Sequence, residues 1–135
     1  MTPGHVSLIR CAELTERAPY AYAAVAADVS RLVFTAGACP LDESGAIVAV
    51  GDVAGQAEQA IANLVTALRA AGAGLTDVVK TTVYVASHRQ EDLLAAWGVI
   101  SAAFADHDAP STLLGVAALG YRDQQVEVEA VAAIR

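Results

Sequence analysis

Two carboxylates near the end of the chain have the type and spacing that acid–base chemistry requires. Glu127 and Glu129 alternate with Val126 and Val128, and this alternation predicts a β-strand that carries both carboxylates on one face. A partly buried strand carboxylate can act as a general base. The same pattern also fits a solvated strand face with no chemistry, and the residues alone leave both interpretations open.

A second group of reactive residue types is the run Asp106, His107 and Asp108, which closely precedes Ser111. It invites a Ser-His-Asp or metal-site interpretation. Triads are defined by geometry, and adjacent loop residues seldom supply it, so we predict a polar helix terminus. Since His5 and His88 are isolated and no P-loop or dinucleotide fingerprint occurs, we predict neither a metal nor an organic cofactor.

Charge and cysteine content narrow the class of protein. The net charge is −7 over 135 residues, which disfavours nucleic-acid binding because a phosphate backbone would be repelled. Cys11 and Cys39 have no zinc-site spacing, so we expect two reduced thiols in a cytoplasmic protein. The alanine-rich segments are interrupted by Asp, Arg, Glu or Gly, and we expect no membrane span.

The elements that would position these residues form an α/β pattern within one domain over 1–135. Hydrophobic residues make up 56% of the chain, enough for a full core. The helical spacing after Asp52, a candidate N-cap, predicts a helix over 53–71 that ends at Gly72 or Gly74. A run at 87–90 fits a capping box for a second helix that ends near 105. Alternation and turn residues predict strands over 6–10, 22–27, 31–37, 77–86, 113–119 and 125–134, with a short one over 46–48.

The resulting order is β-β-β-α-β-α-β-β. It predicts a mixed sheet with both helices on one face. The second helix should bury Leu93, Leu94, Trp97, Ile100 and Phe104 on one stripe, and the strand over 77–86 should place Val79 on the same face as Thr81, Val83 and Val85. Nothing remains to cover the other face of the sheet, so we expect an oligomer.

Several segments, in order, resemble the RidA (YjgF) family between about Pro19 and Ala132. Ala18-Pro19-Tyr20 resembles its G-P-Y segment, and the strand ending at Ala36-Gly37 resembles its S-G-Q strand. The strand from Asp77 to Val85, the run Gly115 to Leu119 and the strand Val126 to Ala132 are similar to further family motifs.

The resemblance implies a chorismate-mutase-like fold and a homotrimer with small-molecule clefts between subunits. It also implies hydrolysis of reactive imines or enamines to ketoacids and ammonia without a cofactor. By this correspondence Glu127 holds the water, the Tyr20 hydroxyl reaches the cleft and the Gly37 backbone approaches the ligand. Glu129 is left as a structural residue.

The chain departs from the family where the ligand is held. Ser111 stands at the position of the arginine that binds the substrate carboxylate in the family. A serine cannot replace the planar guanidinium, which donates two parallel hydrogen bonds to a carboxylate. Ala36, Trp97 and Leu113 stand at positions of Ser, Asn and Cys; Trp97 fits either a core position or an apolar cleft wall. Arg122 is a candidate substitute for the arginine, against the simpler interpretation of a solvated loop residue.

Three functions stay open on this basis. The first is a hydrolase of the RidA type acting on a small imine, enamine or related carbonyl compound, with Glu127 positioning water. The second is a non-catalytic trimer that binds a metabolite as a sensor or regulatory partner. The third, an endoribonuclease or translation inhibitor, is disfavoured because the chain lacks a basic stripe.

Overall fold

A computed structural model describes residues 5–135, and its elements follow the predicted order. One helix leads from the third strand to the fourth and the other leads from the fourth strand to the fifth, which confirms the α/β prediction. The elements are β1 (Val6–Ile9), β2 (Ala23–Ala26), β3 (Arg31–Phe34), α1 (Val53–Ala70), β4 (Val78–Val85), α2 (Gln90–Phe104), β5 (Ser111–Gly115) and β6 (Val126–Ile134), with a 3₁₀ turn at Leu75–Asp77 before β4.

The strands form two sheets rather than one. β3, β6, β4 and β5 make a four-stranded sheet in that order, in which β4 and β5 are parallel and the other pairs are antiparallel. This sheet is mixed, as predicted. β1 and β2 form a separate antiparallel pair. The parallel pairing places the beginning of β5 beside the middle of β4, where Ser111 is opposite Thr81.

The first helix begins and ends where its sequence predicts. The Asp52 carboxylate accepts a hydrogen bond from the Gly55 backbone N–H at 3.0 Å, which satisfies one of the free donors of the first turn. Gly72 has φ +84° just after the helix, and Ala73 N–H donates to Leu68 O at 2.8 Å. This left-handed residue closes the helix end.

The capping box predicted for the second helix is wrong. The Ser87 hydroxyl donates to the Asp92 carboxylate at 2.7 Å and accepts from Arg89 N–H at 3.0 Å, whereas Arg89 itself is the N-cap residue and makes no side-chain cap. Ser87 therefore organises the turn from outside the helix, and the partner carboxylate is Asp92 rather than the Gln90 side chain.

The core lies between the two helices and one face of the four-stranded sheet. Val83 and Val85 of β4 and Val128 of β6 are fully buried beneath α1 and α2. Val78 is also fully buried, while Val79 is only half-buried. The register of β4 against β6 shifts between Val78 and Lys80, so a bulge at this point reverses the alternation that the sequence predicts for the first residues of the strand.

Three further features differ from the sequence prediction. Leu94 is 64% exposed, because the buried stripe of α2 runs through Ala96, Ile100 and Phe104 instead. No strand forms over 46–48, where Ile47 makes one isolated bridge to Leu41. The strand predicted over 113–119 begins at Ser111 and ends at Gly115, since the pairing with β4 stops at Val85.

No helix of residues 5–135 lies against the other face of the four-stranded sheet, here called the open face. This face carries Glu127 and Glu129 of β6 and Tyr84 of β4, and the Tyr84 hydroxyl donates to the Glu129 carboxylate. Leu32 and Phe34 of β3 are 58% and 71% exposed. No helix in residues 5–135 combines the length and apolar character that crossing a membrane requires.

Candidate functional site

Glu127 is held at the beginning of β6 by two donors on one of its oxygens. Oε1 accepts hydrogen bonds from the Cys39 thiol at 3.3 Å and from Gln124 Nε2 at 3.2 Å. Among the described residues, no hydrogen-bond donor contacts Oε2. The residue is half-buried, and the two bonds on Oε1 fix the orientation of the carboxylate.

The segment after β3 runs beside β6 and brings a glycine against this carboxylate. Ala38 and Val128 exchange backbone hydrogen bonds of 2.7 and 3.1 Å. A Cβ atom placed on Gly37 would lie 2.2 Å from Glu127 Oε2. Only glycine therefore permits the observed position of the carboxylate. Ala36, the residue before it, is exposed.

Helix α1 fixes the same segment from the other side. Asn63 Nδ2 donates to Cys39 O at 2.8 Å and to Leu41 O at 2.9 Å. The segment contains no helix or long strand of its own, so these side-chain bonds satisfy carbonyls that would otherwise lack partners. The position of Cys39, and through it that of Glu127, thus depends on a helix residue 24 positions away.

Cys39 is a neutral hydrogen-bond donor rather than a nucleophile. Burial, and then the hydrogen bond to the Glu127 carboxylate, raise the pKa of the Cys39 thiol to about 11. A thiol is nucleophilic only as thiolate. At neutral pH the thiol therefore stays protonated and keeps its hydrogen bond to the Glu127 carboxylate. Cys11 is the other free thiol, and it donates to Glu13.

A loop before β6 completes the surroundings of Glu127. Gln124, only 4% exposed, also donates to Val126 O at 3.1 Å and accepts from Tyr121 N–H at 3.1 Å. Gln56 of α1, fully buried, bonds Asp123 O and Gln125 N–H on the same loop. Arg122 lies in this loop with its side chain exposed.

A second set of predicted site residues meets at the beginning of β5. The Thr81 hydroxyl donates to Ser111 Oγ at 2.7 Å. Trp97 of α2 is half-buried beside Ser111, and its ring meets the Tyr20 ring edge to face, with 6.4 Å between centroids and an 85° angle between planes. Backbone hydrogen bonds hold Tyr20 in place, because the next residue, Ala21, donates to Asp108 O at 2.7 Å.

Two concavities open on either side of Trp97. A cavity of about 440 Å³ lies between the second half of α2 and the beginning of β5, and a shallower depression of about 420 Å³ lies over Tyr20. Both have Pro19, Trp97 and Ser111 in their walls. Leu94 and Leu113 line the depression, which explains why Leu94 is outside the core.

Within one chain these residues make two separate groups. The Glu127 group consists of Gly37, Cys39, Gln124 and Glu127, and the Ser111 group consists of Tyr20, Thr81, Trp97 and Ser111. On β4, Glu127 pairs with Tyr84 and Ser111 pairs with Thr81. Positions three apart on one strand point to opposite faces. The two groups therefore lie on opposite faces of the same sheet.

The run 106–108 does not form a triad with Ser111. His107 Nε2 bonds Val78 O at 2.8 Å, and its ring stacks on Phe104. Asp108 pairs with Arg10, and Ser111 is bonded to Thr81. Residues 5–135 contain no cluster of three or more His, Cys, Asp or Glu side chains placed to hold a metal ion.

Sequence reasoning missed three members of these groups, namely Cys39, Thr81 and Gln124. Cys39 follows Gly37 by two positions, so an extended segment places it on the same side as Gly37. That spacing was a usable signal. The contacts of Thr81 and Gln124 depend on the register of β5 and on the loop before β6, which the sequence does not specify.

Comparison with known families gives one match over most of the chain. The family model described as endoribonuclease L-PSP matches residues 12–134. The 2-iminobutanoate/2-iminopropanoate deaminase of Salmonella typhimurium is 34% identical over 125 residues, which cover 90% of this chain and 95% of that protein. The deaminase of the same description from Homo sapiens is 34% identical over 93% of this chain and 91% of its own length.

Solved structures agree with this match. A Rid-family protein of unknown function from Yersinia pestis has a TM-score of 0.90 at 29% identity, covering 97% of this chain and 100% of its own. Escherichia coli TdcF, solved with bound serine, has a TM-score of 0.68 at 30% identity, covering 90% of this chain and 97% of its own.

Proposed function

The chain belongs to the endoribonuclease L-PSP family, which includes the RidA (YjgF) imine deaminases, and we propose that it hydrolyses a small imine or enamine in clefts between subunits. One observation carries the proposal: the Glu127 carboxylate has one oxygen fixed by Cys39 and Gln124 while the other faces Gly37. This is the arrangement that a residue holding a nucleophilic water needs.

The reaction requires a base and a way to stabilise nitrogen as it gains electrons. Glu127 accepts a proton from water as the oxygen bonds to the imine carbon and the C=N π electrons move to nitrogen. Transfer of protons to nitrogen then lets the C–N bond break. The products are a carbonyl compound and ammonia, and an enamine enters the same path after protonation at carbon. Cys39, protonated at neutral pH, keeps Glu127 oriented throughout.

Two copies of the chain are needed to bring the groups together. The Glu127 and Ser111 groups lie on opposite faces of one sheet, so a single cleft that contains both must take one group from each of two subunits. The exposed Leu32 and Phe34 side chains on the open face favour its burial against other copies. In the proposed homotrimer, the sheets close around a central barrel and three such clefts form.

The non-catalytic alternative, a metabolite-binding trimer, is favoured by a different observation. The Ser111 hydroxyl oxygen accepts from Thr81 and leaves only one neutral O–H donor for a ligand, and no Lys, Arg or His of the described chain lines either concavity beside Trp97. A cleft without a cation binds a carboxylate poorly and need not turn anything over. Its ligand would then be held by Trp97 and Tyr20 for a regulatory purpose.

The test is decay of imines generated in situ. Amino-acid and amine oxidases supply imines of defined side chain, and semicarbazide traps what remains with and without the protein. We expect faster decay for at least one imine and a loss of about 10²-fold or more in Glu127→Gln, while Glu129→Gln, the matched control on the same strand, keeps its activity.

Two results of the imine-decay assay would overturn parts of this proposal. If no imine decays faster while light scattering shows an intact oligomer, the hydrolase proposal is overturned and the binding alternative stands. Acceleration that survives in Glu127→Gln overturns the role of Glu127 but not the reaction.

A further inference from the structure

The cavity between α2 and β5 is distinct from the depression over Tyr20. It runs behind Trp97 toward the end of α2, and its walls are largely apolar. Ile100 and Phe104 line it from the helix, and the Thr81–Ser111 hydroxyl pair lies on the strand side. At about 440 Å³ it falls within the usual range for small-molecule sites.

The charges around this cavity are all negative or neutralised. Asp106 and Asp108 are the ionisable residues in its lining. Asp108 is paired with Arg10, whereas Asp106 has no ion-pair partner among residues 5–135. A ligand carboxylate would meet one uncompensated carboxylate, and the nearby Arg10 is already paired with Asp108. A ligand ammonium or protonated imine would be attracted by Asp106 and by the face of the Trp97 ring.

We propose that this cavity binds a small primary amine, or the imine derived from it, that has an apolar arm and no carboxylate. The apolar arm packs against Ile100, Phe104 and Trp97. The nitrogen lies toward the rim formed by Asp106, and the Thr81–Ser111 pair supplies a neutral polar contact. Carboxylate-bearing imino acids are excluded by the same charges that attract the amine.

This inference rests on the proposed function for its chemical consequence but not for its test. If the protein is a hydrolase, its substrate is an imine of the form R–CH=NH. Water adds to carbon, the C–N bond breaks, and the products are the aldehyde R–CHO and ammonia. If the protein is a non-catalytic binder, the same cavity selects the amine as a ligand.

Trp97 makes the test specific, because it is the single tryptophan of the chain. The probes are two pairs that differ only by a carboxylate: 3-methylbutylamine against leucine, and 2-methylpropylamine against valine. Titration of the intact protein should give a saturable change in Trp97 fluorescence with each amine, and at least about tenfold weaker binding of each amino acid. The alcohol 3-methylbutan-1-ol tests the contribution of charge.

Variants assign the effect to the cavity. Asp106→Asn should weaken amine binding about threefold or more and leave the alcohol unchanged. Ile100→Phe, which fills the cavity, should abolish the response to both, and unchanged circular dichroism and oligomer mass would show that the variant is folded. Leu94→Ala changes only the depression on the other side of Trp97 and should leave amine binding as it is.

The outcomes separate this inference from the proposed function. Leucine binding as tightly as 3-methylbutylamine, or no saturable response to either amine, overturns the inference whatever the activity. Amine binding without any imine hydrolysis overturns the proposed function and supports the inference. Fast hydrolysis confined to 2-imino acids supports the function and overturns the inference.

Discussion

Cys39 Sγ lies 3.3 Å from Glu127 Oε1 and donates its hydrogen to the carboxylate. The thiol is thereby a positioning group, since its raised pKa keeps it protonated over the whole physiological range. A hydrogen bond therefore couples two side chains that are 88 positions apart in the sequence. Because of this coupling, we expect a change at Glu127 to alter the reactivity of the Cys39 thiol.

The first prediction concerns the reactivity of Cys39. In a Cys11→Ser background it is the single thiol of the chain. With a pKa of about 11, about one thiol in a thousand is ionised at pH 8. Alkylation by iodoacetamide should be slow at pH 8 and accelerate about tenfold per pH unit up to about pH 10. An ordinary thiol levels off near pH 9.

The same assay measures the coupling to Glu127. Glu127→Gln removes the negative charge that disfavours the thiolate, so the pKa of Cys39 should fall and alkylation at pH 8 should rise about tenfold. Glu129→Gln is the control, because Glu129 bonds Tyr84 and not Cys39. Equal rates in all three proteins would contradict the described contact.

The second prediction concerns Gly37. In Gly37→Ala the added methyl would occupy the position of Glu127 Oε2, so the carboxylate must rotate away from its donors. We expect a loss of about 10²-fold or more in kcat with the oligomer intact. Gly74→Ala is the control, since nothing lies within 4 Å of a Cβ there. A fully active Gly37→Ala protein would show that this position of Glu127 is not needed.

The third prediction concerns stability. Gln56 is fully buried and bonds Asp123 O at 2.9 Å and Gln125 N–H at 2.7 Å. Gln56→Leu leaves both backbone groups unpaired and should cost about 1–3 kcal/mol, or a fall in Tm of about 3–11 °C. Glu58→Leu, at an exposed position of the same helix, should stay within about 0.5 kcal/mol. Urea unfolding at one fixed protein concentration measures the free energy of unfolding of each variant and of the parent protein. Equal midpoints would contradict the assigned contacts.

The fourth prediction decides whether Arg122 replaces the absent arginine. Arg122 is exposed and lines neither concavity, so Arg122→Ala should change KM less than twofold for every imine that the protein hydrolyses. An Arg69→Ala variant controls for the loss of one surface charge. A rise in KM of about tenfold or more for carboxylate-bearing imines alone would assign the missing anchor to Arg122.

Much of the fold is predictable from sequence because local signals agree with the final structure. Asp52 and Gly72 mark the ends of α1, and the alternation in β6 gives its faces. The differences arise where tertiary contacts decide. The bulge near Val79 reverses the faces of early β4, and Leu94 leaves the core because a depression rather than a neighbouring element lies over it.

The site is only partly predictable for a similar reason. Family resemblance points to Glu127, Gly37, Tyr20, Trp97 and Ser111, but it does not say which of them meet within one chain. That follows from the register of β4, which pairs with β5 on one side and with β6 on the other. Cys39 is absent from the predicted site because its spacing from Gly37 indicates a shared side of an extended segment but does not identify Glu127 as its partner.

The central claim is that one subunit's Glu127 group meets another subunit's Ser111 group. A chain with Cys11→Ser and Ser111→Cys carries one thiol in each group, at Cys39 and at position 111. A short bifunctional iodoacetamide at about pH 10, where enough of Cys39 is ionised to react, should join them between subunits and give covalent dimers and trimers on a denaturing gel. The Cys11→Ser parent should stay monomeric. Monomers alone from the doubly substituted protein, with its oligomer intact in solution, would contradict the shared cleft.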